Sequence, residues 1–255
     1  MANVWAIGDL HLSFGVKNKG MELFGPEWKD HAEKIAAHWK ALIHPDDLVL
    51  IPGDISWAMR LEEVQADLEW IDRLPGTKVM IKGNHDYWWG SLKKVMAILP
   101  PSIHLIQNQA FHWRGIAVGG ARLWDSPEYS FSSYIERREN PKAKQEEEEI
   151  QEELQEKIFE RELVRLTLSL QSFRPDAKVR IAMTHYPPIG ADLAPSRVSE
   201  ILERFGVEIA VFGHLHSIKK ELPLFGVKNG VRYLLASADY IHFQPIPLYP
   251  NKMKS

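Results

Sequence analysis

The chain reads as a layered α/β fold. Three observations predict it: short β-branched apolar runs, Gly and Pro at their borders, and segments of helical periodicity between them. Five of the runs also end in clusters of metal-binding side chains. Val4-Trp5-Ala6-Ile7 leads into Gly8-Asp9-Leu10-His11, and Leu48-Val49-Leu50-Ile51 into Gly53-Asp54. Lys78-Val79-Met80-Ile81 leads into Gly83-Asn84-His85-Asp86. Val179-Arg180-Ile181-Ala182-Met183 is followed by Thr184-His185, and Ile209-Ala210-Val211-Phe212 by Gly213-His214-Leu215-His216. In layered α/β folds ligands gather beyond the carboxyl ends of strands, so five such clusters can converge on one site.

The other elements follow in order. A helix is expected from about Trp28 to Leu42, with Ile35, Ala36, Trp39 and Leu42 on one side. A second is expected from about Arg60 to Leu74, stopped by Pro75-Gly76. Short strands are expected at Ile103-Ile106, Ile116-Val118 and Val231-Leu235. Ile150, Leu154, Ile158, Val164 and Leu168 recur at helical spacing behind the acidic run Glu146 to Glu149. One amphipathic helix from about Lys144 to Gln171 accounts for them; an acidic partner-binding arm is the other reading of that charge. Pro127-Pro141 before it is irregular and is expected to form a flap. The flap and helix, at about 127–172, interrupt what is otherwise a single domain over 1–255.

Composition narrows the chemistry. With 255 residues, 45% of them apolar, the chain can build one substantial core. A formal charge of -3, from 31 basic and 34 acidic residues, sets up no global field toward nucleic acid or a membrane. A small phosphorylated partner is expected, and nucleic acid is not favoured. There is no cysteine, so any metal must be held by imidazole, carboxylate and amide oxygen. Those ligands accept Mn, Fe, Zn, Co or Ni, and exclude a thiolate zinc site. No apolar run approaches the roughly 20 residues that span a bilayer. The N-terminus enters a strand at once, with no charged-then-apolar leader, so a cytoplasmic protein is expected.

Each cluster has its own logic. Asp9 and His11 sit two apart, and in an extended segment residues i and i+2 point the same way, so both can reach one ion. Alone, such a pair is common. Gly213-His214-Leu215-His216 repeats the spacing with two imidazoles. Gly53-Asp54 offers a carboxylate where the backbone turns tightly, though singly it would be an ordinary turn. In Gly83-Asn84-His85-Asp86, Asn84 supplies a neutral amide oxygen and His85 a proton carrier near working pH. Asp86 is expected to orient or charge-stabilise that imidazole. Five clusters in this order point to a hydrolase with bound metals.

The ordered series Asp9-x-His11, Gly53-Asp54, Gly83-Asn84-His85-Asp86, His185 and Gly213-His214-x-His216 resembles the calcineurin-like metallophosphoesterase superfamily. The resemblance implies a four-layer α-β-β-α sandwich, two mixed β-sheets flanked by helices, with a dinuclear metal site at the strand C-terminal ends. It implies that Asp9, His11, Asp54 and His216 hold a first divalent ion. Asp54 would bridge to a second, completed by Asn84, His185 and His214, with Mn favoured for both. His85 matches the family's catalytic histidine and would not ligate. The Gly-Asp motif continues Ile55-Ser56-Trp57-Ala58, where the protein Ser/Thr phosphatase branch has a further Asp-Arg-Gly, so that branch is not expected. The opening Asp9-Leu10-His11-Leu12-Ser13 is also similar to lipid-A-pathway pyrophosphatases and nuclease-like members.

The implied reaction is hydrolysis of a phosphate mono- or diester by in-line attack of a metal hydroxide, with His85 as general acid. A nuclease, a nucleotide or lipid pyrophosphatase, and a silent metal-binding scaffold are the alternatives. Trp57, Tyr87, Trp88, Trp89, Trp124 and Tyr186 crowd the clusters, either as a stacking wall for a flat leaving group or as a packed rim. Tyr186 and Trp124 are the better substrate candidates, with Arg122 and Arg197 as phosphate contacts. Asp239 and His242 could approach the metals, but no spacing requires it.

Overall fold

Alternation along each strand decides how the layers stack. The protein is described here by a computed structural model covering residues 2–17, 19–136, 152–219, 222 and 224–249. In chain order its elements are β1 (Val4–Ala6), α1 (His31–Leu42), β2 (Leu48–Ile51), α2 (Leu61–Asp72), β3 (Thr77–Met80), α3 (Leu92–Met96), β4 (Ile103–Leu105) and β5 (Phe111–Trp113). There follow β6 (Ile116–Ala121), α4 (Glu152–Gln171), β7 (Val179–Thr184), α5 (Arg197–Arg204), β8 (Ile209–Phe212), β9 (Val227–Lys228), β10 (Val231–Leu235) and β11 (Ile246–Pro247). One sheet has the order β11-β1-β2-β3-β4, the other β5-β6-β7-β8-β10-β9. Each has a parallel centre and antiparallel edges: β11 in the first, β5 and β9 in the second. Both sheets are therefore mixed, as expected.

Side chains of a strand alternate between faces. Val4, Ala6, Leu48, Leu50 and Val79 face Val118, Ile181, Met183, Ile209 and Val211 across the inter-sheet core. The alternate set, Trp5, Val49, Ile51 and Met80, packs on Ile35 and Trp39 of α1 and Val64, Leu68 and Ile71 of α2. On the far side Ala182, Ala210, Phe212 and Tyr233 meet Phe159, Leu166 and Leu170 of α4 and Val198 and Leu202 of α5. Burial on both faces explains why these strands read as continuous oily runs. Four layers result, with helices outside and two sheets within. Among the described residues no helix is long and apolar enough to cross a membrane.

Two expectations shift. Trp28 does not open α1; it ends a 3-10 turn, Pro26–Trp28, and α1 starts at His31 after Asp30 in left-handed backbone. Gly25 and Pro26 break the helical path before it. The long helix is described from Glu152, and its expected start near Lys144, with the acidic run, lies outside the described residues. Of the expected flap, the described part docks on strand-end loops: Glu136 N–H donates to Ser217 O at 2.8 Å, and Tyr129 OH to Pro187 O at 2.6 Å.

Two charged groups are buried near these elements. Lys78 in β3 donates to the carbonyls of Asp72 and Leu74 and to Ser102 Oγ, satisfying acceptors left open at the end of α2. Asp67 of α2 accepts from Phe14 N at 2.8 Å and from Ser56 Oγ, fastening the loops after β1 and β2. Burial pushes the Asp67 pKa up to about 6, against those two bonds. A raised carboxyl pKa means that folding favours the protonated form. Its stability contribution is complete below pH 3.8 and lost as pH rises through 6. Asp67→Asn keeps an acceptor and adds no charge. Its unfolding free energy should exceed that of the parent at pH 8, by up to about 3 kcal/mol, and the gain should vanish near pH 4. An equal difference at both pH values would show that the Asp67 charge is not the cause.

Candidate metal centre

The five expected clusters meet at the C-terminal ends of β1, β2, β3, β7 and β8. Past β1 and β2 the chain pairs with itself: Asp9 N–H donates to Gly53 O, His11 N–H to Asp54 O and Leu12 N–H to Ile55 O, each at 3.0 Å. The sheets join here, through Gly8 N–H to Ala236 O at 2.7 Å and Ala238 N–H to Gly8 O at 3.1 Å. Asp9 and His11 do not converge by extended spacing. Their φ values are 54° and 44°, with Asp54 at 50° and His214 at 74°, all left-handed. Such backbone costs on the order of 1–2 kcal/mol per residue and persists where the surroundings impose it, often at functional sites. Gly83 and Gly213 are required for a different reason. A Cβ at Gly83 would collide with the Asp54 carboxylate, and one at Gly213 with that of Asp9.

The side chains form two overlapping groups. Donor atoms of Asp9, His11 and His216 lie within 4.8 Å of one another, as do those of Asp9, Asp54 and His185. His11 Nε2 is 3.3 Å from His216 Nε2 and 3.7 Å from Asp54 Oδ2. On the other side Asn84 Oδ1 lies 2.5 Å from His185 Nε2 and 3.0 Å from His214 Nδ1, and Asp54 Oδ1 is 3.5 Å from His185 Nε2. Asp54 thus borders both groups. His214 N–H donates to both oxygens of Asp9, at 3.0 and 3.2 Å.

The chemistry of this donor set fits divalent cations. Burial pushes the Asp9 pKa up to about 8, with His216 opposing and Asp54 adding to it; burial also raises Asp54. Two adjoining buried carboxylates are costly unless a cation balances them. Burial lowers His11 and His214 well below the usual imidazole range and His185 to about 3, which keeps their lone pairs available. His185 Nδ1 donates to Pro52 O at 2.9 Å, which turns Nε2 inward. His216 Nδ1 faces Asp239 Oδ1 at 2.8 Å, and Asp239 Oδ2 accepts from Ser217 N–H at 2.9 Å. A ligating histidine whose other nitrogen binds a carbonyl or carboxylate is the usual arrangement at metal sites. Burial would lower His216, but Asp239, then Asp9 and Asp54, push it up to about 9. Asp239 is the site residue that spacing did not reveal; His242 is exposed and stays outside. Asp239→Asn should weaken metal binding about 10- to 100-fold, read by competition with a fluorescent chelator. An unchanged affinity would make Asp239 a loop fastener only.

Several expected roles are corrected. Asp86 does not orient His85. Its Oδ1 accepts from Ile55 N, Ser56 N and Trp88 Nε1 at 2.9, 3.2 and 3.0 Å, and its Oδ2 from Gly83 N at 2.7 Å. Both oxygens are spent clamping two strand-end loops together. His85 instead donates its backbone N–H to Asp54 Oδ1 at 2.8 Å, and its buried Nδ1 has no partner among the described residues. Tyr186 is no substrate platform: it is buried, with its ring 4.0 Å from that of His214. Trp124 is half-buried and donates to Gln155. Arg197 is held by Glu128, Glu156 and Glu160 and lies over Phe159, so it is not free for phosphate. Trp88 and Trp89 belong to the core. The rings that flank His85 are Trp57, centroids 4.6 Å apart, and Tyr87, at 6.2 Å and 56% exposed. Arg122 lies at the site: its carbonyl accepts the amides of His185 and Tyr186 at 3.2 and 3.0 Å.

This geometry defines a class: a layered α/β protein with an Asp, Asn and His centre suited to divalent cations. The calcineurin-like phosphoesterase family model matches residues 2–217, and the chain belongs to that family. It is similar to the Gene 66 proteins of Mycobacterium phages L5 and D29, with 35% identity over 88 residues and 36% over 86. Each match takes in 34% of this chain and 41% of the phage protein, so the chain spans less than half the length of these relatives. Among solved structures it is similar to a protein of unknown function from Aquifex aeolicus, at TM-score 0.48 and 16% identity over 97% of this chain and 96% of that one. A phosphopantetheinyl hydrolase from Mycobacterium tuberculosis gives 0.49 and 15% over 100% and 98%.

Proposed function

We propose that the chain is a dinuclear metal-dependent phosphohydrolase acting on a small phosphate mono- or diester. The observation that carries this reading is the convergence of Asp9, His11, Asp54, Asn84, His185, His214 and His216 from five strand ends, with His185 and His216 turned inward by fixed partners. Asp9, His11, Asp54 and His216 would hold one divalent ion and Asp54, Asn84, His185 and His214 a second, with Mn favoured. Bound there, such ions supply a nucleophile at neutral pH and stabilise charge on phosphorus.

The remaining steps belong to the chain. Asp54 and Asp9 set the charge of the centre, and their left-handed backbone fixes where they point. His85 stands beside that centre, its ring 5.7 Å from that of His11, and donates a proton to the leaving oxygen. Burial lowers its pKa while Asp54 opposes this, and an arriving phosphate anion adds to the Asp54 effect, restoring the proton in the complex. Trp57 and Tyr87 flank His85 and would contact the leaving group. A net charge of -3 favours small substrates over long polyanions, which must release counterions from basic surfaces.

The test is turnover with Mn, Zn, Co and Ni against monoesters, diesters, cyclic nucleotides, pyrophosphates and single-stranded DNA. Metal-dependent hydrolysis of the small esters, abolished by chelator, is the expected result. Two metals bound with no turnover on any of them would leave a metal-binding scaffold.

A further inference from the structure

A cavity of about 300 Å³ sits one strand end away from the metal centre, lined by Lys82, Arg122, Arg161, Glu162 and Arg165 among others. Local sequence places each of them. Lys82 directly precedes Gly83-Asn84 after β3, Arg122 follows β6, and Arg161 and Arg165 are four apart on α4. Glu162, 1% exposed, anchors the group: it is 2.6 Å from Arg165 Nη1, and 3.9 Å from both Arg122 Nη2 and Arg161 Nε. Lys82 Nζ donates to Trp89 O at 2.9 Å. The lining therefore carries four cations against one carboxylate, a surplus of three positive charges.

Neutralising one buried carboxylate needs one well-placed arginine, and Arg165 already provides it. Four cations around one recess repel each other unless an anion lies between them. Guanidinium forks beside an ammonium are the usual chemistry of phosphate recognition. The cavity is large enough for a phosphoryl group and part of the body that carries it. Arg122 links the two places, because its carbonyl holds the His185 amide while its guanidinium, 4.7 Å from the Trp124 ring centroid, reaches to 3.9 Å from Glu162 of the cavity lining.

We propose that this cavity is a second anion subsite. It takes a phosphoryl group borne by the same substrate whose ester phosphorus lies at the metal centre, so the substrate class is a small bisphosphorylated molecule. The inference rests on the phosphoesterase reading above, but its cations are side chains and need no metal.

Inorganic phosphate should bind the EDTA-treated 255-residue chain saturably by calorimetry, and more weakly as salt rises. Arg161→Gln and Lys82→Met should each weaken it about tenfold or more. The Arg161 side chain is 54% exposed, so its loss leaves Glu162 paired with Arg165; a thermal melt of each variant verifies the fold. With metals loaded, adenosine 3′,5′-bisphosphate should show a KM about tenfold or more below that of adenosine 5′-monophosphate, a gap that narrows in Arg161→Gln. No saturable binding to the stripped chain, binding that both folded variants retain, or equal KM values would overturn the subsite. Phosphate binding as expected, with no hydrolysis of any ester by the metal-loaded chain, would support the subsite and overturn the phosphoesterase reading instead.

Discussion

Asp54→Ala empties the centre: after gel filtration in divalent salt, elemental analysis should find less than half the metal of the parent, and turnover should fall about a thousandfold or more. Asp54 is the residue common to both proposed ligand sets, with Oδ2 3.7 Å from His11 Nε2 and Oδ1 3.5 Å from His185 Nε2. Without it Asp9 is the one carboxylate left among the proposed ligands, and the attraction for two divalent ions falls accordingly. A thermal melt of the metal-free variant separates loss of the ligand from loss of the fold, because Asp54 also accepts the His85 N–H at 2.8 Å. Parent-level metal content in a folded Asp54→Ala chain would refute the bridging role.

His85→Ala should keep its metals and lose about 10²–10⁴ in kcat. The ring stands outside both donor groups, and its contacts with Trp57 and Tyr87 hold it over the site without tying up its nitrogens. The diagnostic is the leaving group. An alkoxide needs a proton as it departs, whereas nitrophenolate leaves readily without one. The defect should therefore be large for alkyl phosphates and small for p-nitrophenyl phosphate. The same loss for both, or a fall in bound metal, would make His85 a structural residue.

The parts of the fold legible in the sequence are those with a local cause. β2 and β8 were expected at their observed bounds because strands buried on both faces must be apolar throughout. β5, β9 and β11, of two or three residues, are not legible in the sequence. They are strands because neighbours at the sheet edges pair with them, and so few residues carry no period of their own. The start of α1 was misplaced since Trp28 fits the helical period, yet it is buried edge-on against His11, His216 and Phe243.

The same division runs through the site. Asp9, His11, Asp54, Asn84, His185, His214 and His216 announced themselves because metal-binding side chains directly after oily runs are a local pattern. The partners that give them direction are remote: Pro52 lies 133 positions from His185, and Asp239 lies 23 from His216. The sequence by itself determined the strands that end at the site and the chemical types of the donors. Tertiary structure alone decided which imidazole nitrogen turns inward, that Asp86 clamps loops, that Arg197 is bound to three glutamates, and that Lys82, Arg122, Arg161 and Arg165 share one cavity. The physical reason is that strand propensity and ligand type are properties of a side chain and its neighbours in the chain. Orientation and free charge depend on which distant groups fold against it.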